Sequence, residues 1–158
     1  MDDVVMLRPI GPEDEPFLYE VYASTRAEEL EVTTWSDEQK ADFLRMQFAA
    51  QHQYYHEHYT NTELDVILVD GQPAGRLYVS RGADEVRIMD IALLPAYRNR
   101  GIGTHLIGAL QAEAALARKP LSIHVERFNP ALHLYERLGF VPVADRGVYL
   151  FLEWRSPD

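Results

Sequence analysis

Ile91-Ala92-Leu93-Leu94-Pro95-Ala96-Tyr97-Arg98-Asn99-Arg100-Gly101-Ile102-Gly103-Thr104 is the stretch that decides how the rest of this chain is read. The apolar run Glu85–Leu94 stops at Pro95, which has no amide to continue a strand ladder. Arginines and glycines follow, and Gly101–Arg118 then sets Ile102, Leu106, Leu110 and Ala114 on one stripe at i, i+4 spacing. The segment therefore reads as strand, turn and amphipathic helix. A helix start leaves its first amides unpaired and carries partial positive charge, so such a turn can hold a pyrophosphate without a large basic patch. Gly101 and Gly103 allow close backbone approach, and Arg98 and Arg100 add charge-assisted donors. The plainer reading is an ordinary strand-to-helix loop with solvated arginines. The turn is not a dinucleotide-binding fingerprint, which needs a third glycine, nor a nucleotide P-loop, which needs a lysine and a hydroxyl after its last glycine.

Working outward, Val4–Arg8 reads as a first strand closed by Pro9. Gly11-Pro12 opens a helix to about Tyr22, with Glu13, Asp14 and Glu15 suiting its dipole, and a second helical region includes Arg26–Leu30. Ser36 and Gln39 form a capping-box pattern that starts a longer helix to about His58. Leu64–Val69, the turn Asp70-Gly71 and Pro73–Ser80 predict a hairpin. Beyond the central helix, Leu121–Val125 is a short buried strand. Asn129-Pro130 starts a helix that Gly139 ends, and Val141–Val143 and Val148–Trp154 supply two last strands. The order β-α-α-β-β-β-α-β-α-β-β predicts a mixed α/β sheet with helices on its faces. No internal repeat or linker divides the chain, so residues 1–158 are read as one domain.

Composition narrows the function. Apolar residues at 47% and charged residues at 25% are a globular balance. No run approaches the roughly 18 apolar residues of a membrane span, and Met1-Asp2-Asp3 lacks the basic start of a secretion signal, which predicts a cytoplasmic protein. The absence of cysteine excludes disulfides and thiolate catalysis. A net charge of −10 disfavours nucleic acid and anionic membrane as partners, so an anion site has to be built locally from amides and a few arginines.

Ile91-Ala92-Leu93 followed by Arg98-x-x-Gly101-x-Gly103 resembles motif A of the GNAT acetyltransferases. Downstream, Asn129-Pro130-Ala131 and Tyr135-Glu136-Arg137-Leu138-Gly139-Phe140 are similar to a second mark of that family. The likeness covers about Leu64 to Phe151. It implies an α+β fold with a mostly antiparallel sheet of about seven strands, about four helices and one splayed strand pair. It also implies transfer of an acetyl group from acetyl-coenzyme A to a small-molecule or peptide amine, without a metal. By the same resemblance Ile91, Ala92 and Leu93 would hold the pantetheine arm through their main chain. Arg98, Asn99, Arg100, Gly101, Ile102, Gly103 and Thr104 would hold the pyrophosphate. An amide near Leu93 would steady the thioester oxygen. Asn129 would lie beside the arm and Tyr135 would be the general acid, a role that a phenol with an ordinary pKa of ~10 suits. Relatives are often dimers, which makes a homodimer the expectation.

Each residue also has a plainer reading, namely a helix cap for Asn129 and a core tyrosine for Tyr135. The base is open. Positions where relatives carry an acid or histidine hold Arg87 and Met89, which cannot accept a proton. Asp90 is the first substitute, unless it serves as a structural anion paired to an arginine, and Glu28 and Glu29 come next. Arg87 is a candidate for an acceptor carboxylate. Leu44, Phe48, Tyr55 and Tyr59 share a helix stripe that reads as sheet-facing core, with the pocket wall as a second reading for the tyrosines, Tyr55 among them. His52 and His56 stand at i, i+4 without a third ligand, so a solvated helix face is expected. His124 and Glu126 alternate on a strand beside the gap, where either packing or a base role is open. The missing acid at Arg87 and Met89 keeps a second possibility in play, a non-catalytic acyl-coenzyme A sensor of the same fold.

Overall fold

Asp70 and Gly71 both take positive φ, 51° and 83°, which is the turn geometry that matches the right-handed twist of a hairpin. That turn joins β2 (Thr62–Val69) to β3 (Gln72–Arg81), and the Asp70 side chain also accepts the Val4 amide at 2.9 Å, tying in β1 (Val5–Pro9). The computed structural model describes residues 3–58 and 62–157, and for Glu28 and His58 the backbone alone. The remaining elements are α1 (Glu15–Glu31), α2 (Asp37–His58), β4 (Val86–Leu93), α3 (Ile102–Ala117), β5 (Leu121–Glu126), α4 (Leu132–Arg137), β6 (Val141–Arg146) and β7 (Tyr149–Trp154). The strands form one sheet in the order β1-β2-β3-β4-β5-β7-β6, antiparallel throughout except for β4 with β5. This is the mixed, mostly antiparallel seven-stranded sheet that the resemblance implies. No described helix is long and apolar enough to cross a membrane.

Two boundaries differ from the sequence reading, the first of them within α1 and the second at the start of α4. The expected helix to Tyr22 and the region Arg26–Leu30 are a single helix, α1, entered through a 3₁₀ turn at Pro12–Asp14. Across the expected break the Ser24 and Thr25 hydroxyls donate to the carbonyls of Val21 and Tyr22 at 2.7 Å each, inside the continuing helix. Asp14 stands at the helix start as expected and is also buried: it accepts two bonds from Arg8 and one from the Gly11 amide at the N-cap, and Arg8 holds its carboxyl below the usual carboxylate range. The capping box at Ser36 and Gln39 is formed in both directions, at 2.9 and 3.1 Å.

Two cores lie on opposite faces of the sheet. Ile102, Leu106, Leu110 and Ala114 of α3 are all buried against Leu77, Ile88, Ile123 and Leu152, with Tyr135 and Phe140 from the α4 region. On the other face α1 and α2 pack through Leu18, Tyr22, Leu30, Leu44 and Phe48. α4 starts two residues later than expected, with Ala131 rather than Asn129 at its N-cap. The Asn129 side chain accepts the Ala131 amide at 2.9 Å in a turn ahead of the helix. Its end is a glycine cap, since Gly139 has φ 96° and the Phe140 amide reaches back to the Tyr135 carbonyl at 3.0 Å.

β-bulges shape the sheet at three places, one of them at Val143 between β6 and β7. Between β2 and β3, Ala74 is the extra residue, and between β3 and β4 it is Met89. Gly75, opposite Leu93, sits where a Cβ would overlap the Ala92 carbonyl oxygen and come within 3.0 Å of the Leu93 Cα. Both obstacles are backbone and cannot turn aside. Gly75→Ala is therefore expected to lower stability by about 1–3 kcal/mol, the usual range for overpacking. An unchanged urea midpoint would show that this close approach is not required.

Candidate active site

The parallel ladder between β4 and β5 is short, pairing Val86, Ile88 and the Arg87 between them with Leu121, Ile123 and Ser122. Beyond Ile88 comes the Met89 bulge, which increases local twist. From there β4 stays paired with β3 as far as Leu93, while β5 stays paired with β7 as far as Glu126. The two strands have parted, and their facing edges form a fork that begins at Asp90 and His124. Unpaired edge groups inside a sheet need partners, and an extended ligand can supply them. Ile91 and Leu93 turn their side chains onto the α3-side core, which leaves only their main chain for any such ligand.

α3 starts at the mouth of the fork. Asn99 and Gly101 take positive φ, 60° and 80°, and the first intrahelical bond runs from the His105 amide to the Gly101 carbonyl at 3.0 Å. The amides of Ile102, Gly103 and Thr104 precede that bond and have no partner within the helix. Gly103 is helical, and the nearest atom to a Cβ placed there is Leu134 Cδ2 at 3.9 Å, an ordinary contact. Among the described residues nothing requires glycine at this position, and its missing Cβ leaves the helix start open to close approach by an anion. The flanking arginines are engaged within the chain. Arg98 donates from Nε to the Leu93 carbonyl at 3.0 Å, and Arg100 pairs with Asp3 at 3.0 Å over the Tyr97 ring. Two hollows lie elsewhere, both open to solvent: about 360 Å³ beside Trp35, Phe43 and Met46, and about 230 Å³ between α1 and α2 beside Tyr22, Arg26 and Glu29.

Tyr135 is 4% exposed, with its ring edge against Phe140 at 5.8 Å. Burial, with a smaller contribution from the Asp90 carboxylate, pushes its phenol up to about 12, so it stays protonated across the neutral range. Asp90 forms an ion pair with Arg76, which is 3% exposed and lies 5.8 and 5.2 Å from the ring centres of Tyr22 and Tyr78. Arg76 also donates to Gln51 at 3.2 Å, so one cation joins β3, β4, α1 and α2. Sequence reading passed over Arg76, although a charge amid the apolar run Ala74–Val79 was the signal that could have found it. Asn129 and Tyr135 do not share a helix, because Asn129 is exposed ahead of α4 with its side chain held by Ala131.

The other candidates divide between the two sides of the fork. Glu29 pairs with Arg26 at 3.1 Å, and Arg26 also lies 3.6 Å from Glu126 at the end of β5. Tyr55 sets its ring edge against Tyr78 at 5.1 Å. The Glu28 side chain and Tyr59 lie outside the described residues. Arg87 pairs with Glu85 at 2.6 Å and lies over Phe151 at 5.3 Å. His124 has Nε2 at 2.8 Å from Arg146, and burial, Arg87 and Arg146 in that order push its pKa down. His52 and His56 meet edge to face at 4.4 Å. Among the described residues no group of three potential metal ligands occurs.

Residues 51–142 match the family model described as an acetyltransferase (GNAT) domain. This chain belongs to the GNAT acetyltransferase family. A curated relative, the ribosomal protein bS18-alanine N-acetyltransferase of Haemophilus influenzae, is 30% identical over 113 residues, 71% of this chain and 75% of that protein. In fold this GNAT protein is similar to the PaiA N-acetyltransferase of Thermoplasma acidophilum, solved with coenzyme A, at 18% identity, TM-score 0.73 and coverage of 97% and 99% of the two chains. It is also similar to the ribosomal-protein-S18-alanine N-acetyltransferase of Escherichia coli, at 18% identity, TM-score 0.66 and coverage of 96% and 94%. The family uses a coenzyme A-type co-substrate, and the parted strands, the free amides and the space over Gly103 fit one.

Two measurements follow. Gly103→Ala should fold at least as firmly as wild type, since alanine is the better helix former, yet bind coenzyme A about 10-fold more weakly. A lowered melting temperature with unchanged affinity would make this glycine structural. In a spectrophotometric titration, the phenol lost in Tyr135→Phe should be one that ionises near 12 rather than 10. Stability linked to that phenol is intact below about pH 10 and lost as pH climbs through about 12. A missing phenol with a midpoint of 10 would place Tyr135 in water.

Proposed function

We propose that this protein moves an acetyl group from acetyl-coenzyme A to a primary amine by direct attack in a ternary complex, as one acetyltransferase domain over residues 1–158. The observation that carries this reading is the fork between β4 and β5, with the free amides of α3 at its mouth and a buried, protonated Tyr135 beside it. Acetyl-coenzyme A supplies an activated thioester carbonyl. Ile91, Ala92 and Leu93 hold the pantetheine arm through their main chain, and an amide near Leu93 steadies charge on the carbonyl oxygen. Residues 98–104 hold the pyrophosphate, with the Ile102, Gly103 and Thr104 amides at the centre and Arg98 bracing the end of β4. Asn129 shapes the turn beside the arm. Tyr135 donates its proton to the departing sulfur.

The attacking nitrogen has to be neutral, so the chain must take up a proton. Of the two groups that open the fork, Asp90 neutralises a buried arginine, whereas His124 is kept uncharged. His124 therefore suits the proton acceptor better, and Asp90 acts with Arg76 to fix β4 and to help keep Tyr135 protonated. Glu29 and Tyr55, and with them Glu28, belong to the acceptor side under α1 and α2. A sensor that binds the acyl ester without chemistry is the less favoured alternative, and coenzyme A thiol release over an amine panel separates the two.

Tyr135→Phe should lower kcat by about 10²–10⁴-fold with the KM for acetyl-coenzyme A nearly constant. Arg98→Ala should raise that KM about 10-fold, the loss of one charge-assisted hydrogen bond. Unchanged kinetics in both variants would remove these site assignments.

A further inference from the structure

The face of the sheet opposite α3 is only partly covered. α1 packs on β3 and β4, while across β5 and β7 this face carries Ser122, His124 and Glu126 with their partners Glu153, Phe151 and Tyr149. Arg87 joins them from β4 opposite Ser122, and Arg146 from β6 opposite Tyr149. Phe151 is the centre of the group. The guanidinium carbons of Arg87 and Arg146 lie 5.3 and 5.0 Å from its ring centre, and the His124 ring lies 4.7 Å away. Three basic side chains thus converge on one ring, beside the point where β4 and β5 part.

In a chain with 25 acidic residues and 15 lysines and arginines, a surface arginine readily finds a carboxylate. Arg87 has Glu85, Arg26 has Glu29 and Glu126, and Arg127 has Asp145. Arg146 has no carboxylate partner among the described residues; its Nη1 meets His124 Nε2 at 2.8 Å. Since arginine keeps its protons, His124 must be the acceptor in that contact, neutral and with its own proton on Nδ1. The lone pair that a proton acceptor needs is therefore covered by Arg146. Phe151 meanwhile shields the guanidinium from water on one side, a setting that favours a planar anion.

We infer that Arg146, backed by Arg87, binds the carboxylate of the acceptor, which is an amine carrying a carboxylate group, and that this carboxylate uncovers His124 Nε2 by drawing Arg146 away. The inference rests on the proposed acetyl transfer and names its acceptor class. Guanidinium and carboxylate meet through two parallel hydrogen bonds, which a single contact with imidazole does not match. The ammonium proton of the bound acceptor then passes to Nε2, and the freed amine forms the new C–N bond as the C–S bond breaks; the second proton lost by the nitrogen replaces the one that Tyr135 gives to the departing coenzyme A sulfur. Without an acceptor Nε2 stays covered, so water in the fork finds no base to help it hydrolyse the thioester.

The test uses the whole protein, acetyl-coenzyme A and thiol release, with α-, β- and γ-amino acids each paired with its carboxamide. The best carboxylate should exceed its amide about 10-fold or more in kcat/KM. Arg146 is exposed, so Arg146→Gln should fold normally. It should raise KM for the carboxylate acceptor about 10-fold, abolish the preference over the amide and leave the KM for acetyl-coenzyme A unchanged, while Arg146→Lys recovers part of the loss. Equal use of acid and amide by the wild type, or equal loss on both in Arg146→Gln, overturns the inference and leaves acetyl transfer standing. No transfer to any amine, with coenzyme A still bound, overturns the proposed function and this inference with it.

Discussion

A parallel pair of strands in the middle of a sheet normally stays hydrogen-bonded along its length, because each unpaired amide or carbonyl there loses water without gaining a partner. β4 and β5 break that rule after Ile88 and Ile123. The Met89 bulge turns β4 away while β3 keeps hold of it, and β7 keeps hold of β5. The sheet stays whole because each parted strand has a partner on its outer side. The gap is therefore a stable feature that exposes main-chain groups in the interior, and the rest of the site is arranged around it.

What surrounds the gap is electrostatically uneven. On the β4 side, a buried arginine and Asp90 neutralise each other between tyrosine rings, and the pair also locks α1 and α2 to the sheet. Removing one partner from such a pair leaves an uncompensated buried charge, typically at a cost of about 3–5 kcal/mol. On the β5 side, Arg87, His124 and Arg146 gather about Phe151, with Glu85 paired to Arg87 and with Glu126 and Glu153 on the same face. Arg146, which meets no carboxylate among the described residues, is the cation there left to receive an anion. A coenzyme at the α3 amides would meet the partial positive charge of a helix start despite the net charge of −10.

The legible parts of the structure were those written in short-range chemistry. The hairpin at Asp70-Gly71, the capping box at Ser36 and Gln39, and the α3 stripe depend on residues within four positions of each other, and all three form as read. The misplaced boundary within α1 came from the same level. Ser24 and Thr25 have the hydroxyls of a helix cap, and only the partner they choose decides between capping and continuing. Asn129 met a similar fate, since its side chain closes a turn before the helix rather than the helix itself.

Periodicity, proline and glycine act locally through backbone geometry, so the order of the elements and the glycine turn that opens α3 could be read from the chain alone. Tertiary structure alone decided which charges meet. Arg76 reaches Asp90 through the β3–β4 register, and Arg146 reaches His124, 22 residues away, because β7 inserts between β5 and β6. Register and strand order are set by the burial of both sheet faces at once. No single segment carries that information, which is why the contact between Arg146 and His124 became visible only in the folded chain.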